Sequence, residues 1–128
     1  MNIANLNNVS TLLGRSMIAI MFIMAGFSKI GGYAGTQGYM ESVGVPGLLL
    51  PAVIALELLG GIAVLLGYQT KVASLLLGGF TFLAAVIFHS DFGQQIQLIL
   101  FMKNIAISGA FLLLFVHGPG QWALNSNN

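Results

Sequence analysis

Residues 54–67 read IALELLGGIAVLLG; thirteen of the fourteen are apolar or glycine, and the exception is Glu57. They sit inside a longer apolar run, Leu48 to Gly67, that holds no other charge. A helix rises ~1.5 Å per residue and needs about 20 residues to cross ~30 Å of hydrocarbon, which this run supplies. A closed β-barrel is the other spanning solution, but it demands alternating apolar and polar residues. This run is continuous, so it reads as a membrane-spanning helix with a carboxylate inside it.

The rest of the chain agrees. Apolar residues make up 57% of the 128 and charged residues 5%, where a soluble domain carries about 25% charged. Seven charged side chains cannot form a water-facing shell, so lipid is the solvent for most of the surface. The length suits a single domain, 1–128. Net charge is +1, which gives no electrostatic case for nucleic acid. There is no cysteine, so neither thiol chemistry by the protein itself nor cysteine-held iron–sulfur clusters are expected. The leading MNIANLNNVSTLLGRS lacks the basic stretch of a cleaved signal peptide, so the first apolar segment is expected to be retained.

Four apolar segments appear, at about 12–30, 48–67, 72–89 and 98–117. Short connections make neighbours antiparallel, which predicts an all-α membrane protein, a four-transmembrane-helix up-down bundle. Within the long first loop, Thr36 to Val43 are expected to form a short interfacial helix. Thr70 is expected to cap the third helix, and the tail HGPGQWALNSNN is expected to fray. Gly26, Gly60, Gly61, Gly78, Gly79, Ala106 and Ala110 offer close helix contacts.

Both termini share a side with Lys71. Lysine and arginine counts on the two sides tie, so the positive-inside rule does not decide. Setting Lys29 and Lys103 aside as internal favours cytoplasmic termini, with Tyr68 and Trp122 in the inner aromatic belt. Arg15 and Lys71 are then interfacial, and Arg15 is expected to snorkel to the surface.

Antiparallel packing sorts the remaining polar residues by depth. Lys29 ends the first helix and His89 ends the third, both on the outer side. Glu57 lies nine residues into the second helix, ~14 Å deep, and Lys103 and Asn104 lie about 8–9 Å into the fourth. Each helix thus brings a polar group to one half of the bundle. A charge at the bilayer centre costs about 2.5–3.5 kcal/mol, so Glu57 is expected to face inward, with Lys103 as its nearest cationic partner. Lys29, Glu57, His89, Lys103 and Asn104 form a candidate polar pocket. Plain alternatives remain: His89 caps carbonyls, Lys29 snorkels, and Glu57 only locks helix register. No metal-ligand cluster, nucleotide loop or catalytic triad is present, and no residue is singled out as catalytic.

The stretches GRSMIAIMFIMAGFSKI, YMESVGVPG, ALELLGGIAVLLGYQTK, FLAAVIFH and FMKNIAISGAFLLLFVHGPG occur in that order. As an ordered set they resemble the DoxX family of small bacterial membrane proteins over nearly the whole chain. The resemblance implies a four-helix protein of the bacterial inner membrane. It also implies an association with quinone chemistry, since relatives include a subunit of a thiosulfate:quinone oxidoreductase. It places Arg15, Lys29, Glu57, His89, Lys103 and Asn104 on recurrent polar positions of the family.

Three functions follow as expectations. The first is an accessory subunit that binds a membrane quinone and works with a membrane or soluble redox partner. The second is a small proton-coupled transporter, which with four helices would need a homo-oligomer. The third is a structural or assembly subunit whose polar cluster sets helix register.

Overall fold

A computed structural model describes residues 2–125. Five helices follow in order: α1 (Ile3–Gly31), α2 (Tyr33–Ser42), α3 (Leu50–Leu66), α4 (Thr70–Phe88) and α5 (Gln95–His117). A short 3-10 turn, Gly47–Leu49, leads into α3. Four of these, with the turn counted as part of α3, are long and apolar enough to cross a membrane. The architecture is the expected all-α four-helix membrane bundle, with α2 as an additional short helix.

α1 starts well before the apolar segment. Asn2 caps it, its side chain accepting from the Asn5 backbone N–H at 2.8 Å. The polar residues that follow tolerate helix outside the bilayer, so apolarity alone does not announce these first two and a half turns. At 29 residues α1 is ~43 Å long, more than the hydrocarbon needs. The tight turn after α3 also differs from expectation. Gly67 adopts a left-handed conformation (φ 73°) that lets the Tyr68 N–H reach the Ala63 carbonyl at 2.8 Å. Gln69, also left-handed at φ 48°, stands at the cap of α4. Thr70 is therefore inside the helix, and its buried hydroxyl caps nothing.

α1 packs along α3, α4 packs along α5, and a narrower α3–α4 interface joins the two pairs. In lipid there is little hydrophobic drive between helices, so close fit must hold them. A Cβ on Gly61 of α3 would come 2.8 Å from Ile23 Cγ1 and 3.2 Å from the Ala19 carbonyl of α1. One on Gly78 of α4 would come 2.9 Å from Phe111 Cβ of α5. Gly79, by contrast, faces open space, and Ala106 is exposed, so neither mediates packing. The central core takes side chains from all four spans: Ala19, Phe22, Val64, Ala73, Leu77 and Phe111. Across the α1–α5 seam, Phe22 and Phe111 meet edge-on, 5.4 Å between centroids.

The expected frayed tail and snorkelling Arg15 are both overturned, and for one reason. Arg15 is 3% exposed. Its guanidinium donates to the carbonyls of Pro119, Leu65 (3.2 Å) and Trp122 (3.1 Å). The Leu124 and Asn125 N–H groups donate to the Leu66 and Gly67 carbonyls at 2.8 and 3.0 Å. The segment after α5 thus folds back onto the end of α3 and supplies acceptors that a buried guanidinium requires. Residues 126–128 of the expected tail lie outside the described residues. Tyr68, Lys71 and Trp122 are exposed at this same end.

Candidate functional site

At the opposite end the two helix pairs enclose a cavity of about 490 Å³. That is within the usual range for small-ligand sites. All five residues of the expected polar pocket line it: Lys29 from α1, Glu57 from α3, His89 at the end of α4, and Lys103 and Asn104 from α5. Phe22, Phe80 and Ile107 line its deeper part. Thr36, Tyr39 and Met40 of α2 line the rim.

Periodicity explains why Glu57 faces in. On α3 the buried residues are Leu50, Glu57, Gly61 and Val64, which share one helix face. The carboxylate therefore rides on the stripe that packs against α1. Its partner is Lys29, with Nζ 2.8 Å from Oε1, and not Lys103 as expected. Lys29 belongs to the inward stripe of α1, three residues past the buried Gly26. The absence of a side chain at Gly26 lets α3 approach, since a Cβ there would lie 3.3 Å from Glu57 Cβ. Close α1–α3 packing thus decides which lysine reaches the carboxylate. The pair is asymmetric: the Glu57 side chain is 5% exposed and that of Lys29 is 29%.

The other polar groups are held differently. His89 ends α4, its backbone N–H bonded to the Ala85 carbonyl at 3.0 Å. Its ring Nδ1 pairs with Gln97 Oε1 of α5 at 2.9 Å. Asn104 Nδ2 donates to the Thr81 carbonyl at 3.4 Å, a long contact. Lys103 lies eight residues into α5, ~12 Å from its start. It is exposed on the cavity wall and makes no hydrogen bond or ion pair among the described residues.

The α2 rim was only partly foreseen. The short helix runs Tyr33–Ser42, three residues earlier than expected at its start. Gln37 Nε2 donates to the Gly47 carbonyl at 3.2 Å, and Tyr39 stacks on Phe88 with centroids 5.4 Å apart. Tertiary pairing alone brings Tyr39 over the end of α4, and no local pattern announces it.

The geometry defines a four-helix integral membrane protein with a partly polar cavity in one half of the bundle. The chain belongs to the DoxX family, whose model matches residues 10–90. Two relatives are inner membrane proteins of Escherichia coli K12. YqjF is 50% identical over 120 residues, covering 94% of this chain and 92% of its own. YphA is 38% identical, covering 91% and 89%. The Bacillus subtilis protein named "Putative oxidoreductase CatD" is 34% identical over 79 residues, 62% of this chain and 58% of its own. No solved structure gives a significant match. The family match ends at the close of α4, so Lys103 and Asn104 lie beyond it.

Proposed function

We propose that the cavity receives the head group of a membrane quinone or quinol, and that the protein is an accessory subunit of a membrane oxidoreductase system. The observation that carries this reading is the lining of the cavity, an apolar and partly aromatic wall to which all four spans bring polar groups, Lys29, Glu57, His89, Lys103 and Asn104 among them. Such a wall suits a flat ring bearing carbonyl oxygens, with Lys103 and Asn104 as donors to one of them. Glu57 and His89 are the groups able to exchange the proton that accompanies quinone reduction. Electrons would come from a membrane or soluble partner. A relative named as an oxidoreductase supports the same direction. With cytoplasmic termini the cavity would lie in the periplasmic half.

The test is thermal unfolding in mild detergent with a panel of quinones, Glu57→Gln alongside. A ligand at 100 times its Kd stabilises the folded state by about 2.7 kcal/mol. The reading expects a saturable, quinone-selective shift that Glu57→Gln reduces. No shift in a wild type that melts cooperatively would overturn it.

A further inference from the structure

We infer that the cavity selects ligands carrying a single negative charge on oxygen, and that Lys103 is the residue that holds it. The inference rests on the reading of the cavity as a ligand site and adds the charge of the ligand. It comes from the charges on the cavity wall. Lys29 and Glu57 offset one another at 2.8 Å. His89 is engaged with Gln97. Glu41 and Asp91, the chain's two other acids, are not among the lining residues. One cation, Lys103, is left without a counter-charge.

Its position makes that imbalance costly. About 12 Å into a membrane-spanning helix, an ammonium gains little from lipid and is stabilised by water, a headgroup or an anion beside it. A lysine here could extend its stem toward the rim and serve no ligand. Two features point the other way. Lys103 lines the cavity, and so does the next residue, Asn104. An ammonium offers donors and no acceptor, and the amide has a second N–H beyond the one given to Thr81. Two adjacent donors, with the one acid on the cavity wall already paired to Lys29, match an oxyanion better than a carbonyl. The apolar wall of Val53, Phe80, Phe88 and Ile107 would take the body of the molecule.

Matched probes test this in wild-type protein in neutral detergent. One pair is an alkylated hydroxynaphthoquinone, an enolate at neutral pH, and its methyl ether. The other is dodecanoate and its methyl ester. Charge-assisted hydrogen bonds are roughly twice as strong as neutral ones, so at least one anion should bind about 10-fold tighter than its neutral counterpart. Lys103→Gln should erase that preference and Lys103→Arg should keep it. Preference confined to the enolate would assign a ring oxyanion, and preference confined to dodecanoate a fatty carboxylate. Equal binding of anion and neutral probe, or a preference that survives Lys103→Gln, would overturn the inference while leaving the cavity a ligand site. Binding of no probe and no quinone would overturn both.

Discussion

Lys29 and Glu57 stand on neighbouring antiparallel helices with 2.8 Å between Nζ and Oε1, the lysine partly open to solvent and the carboxylate closed off from it. Breaking a buried pair from one side leaves the other charge uncompensated, a loss of about 3–5 kcal/mol. The asymmetry gives the effect a direction. Lys29→Met should destabilise the bundle more than Glu57→Gln does, because Glu57 is the partner water cannot reach. Changing both residues to apolar ones should recover much of the loss. Denaturant melts in detergent of the two single variants and the double variant read this out.

Arg15 should couple to the tail. Arg15→Met removes the donor to three carbonyls, and truncation after His117 removes two of the three acceptors. Hydrogen bonds to charged groups contribute about 1.5–3 kcal/mol each, so either change should cost several kcal/mol. Combining them should cost clearly less than the sum, because each empties the same site. The double-mutant cycle measures that coupling. Limited proteolysis should cut residues 118–125 faster in Arg15→Met than in wild type.

Small residues should matter only where backbones meet. Gly61→Ala and Gly78→Ala force contacts under 3 Å, and overpacking of this kind costs about 1–3 kcal/mol. Gly79→Ala meets nothing within 4 Å and should be neutral or slightly stabilising. Thermal melts of the three alanine variants, side by side, decide it.

The rim helix should depend on Tyr39 for its ring more than for its hydroxyl. The hydroxyl contact to the Phe88 carbonyl is long, 3.5 Å, while the ring stacks on Phe88. Tyr39→Phe should leave amide hydrogen exchange in α2 nearly unchanged. Tyr39→Ala should speed it, with α3 and α5 little affected.

Much of this was legible in the chain. Spans follow from the length of the apolar runs, and the common depth of Lys29, Glu57, His89, Lys103 and Asn104 follows from antiparallel order. What stayed hidden depended on close tertiary fit. Lys29 and Lys103 were both near enough in depth to reach Glu57, and the glycine-mediated approach of α1 to α3 chose between them. Arg15 looked like an interfacial cation because its acceptors are backbone carbonyls of Leu65, Pro119 and Trp122, which carry no sequence signal. Those same bonds hold the tail, so both misreadings had a single cause. Thr70 was displaced from its cap by the left-handed geometry of Gln69, which its residue type does not announce.

The most direct test of the central claim is where a photoreactive quinone attaches. After labelling in membranes, peptide mass mapping should place it on cavity residues, such as Phe80, Phe88 and Ile107, and excess unlabelled quinone should compete. Label spread over lipid-facing side chains such as Leu76 of α4, Leu113 and Val116 of α5, without competition, would contradict the account and leave the cavity without a quinone.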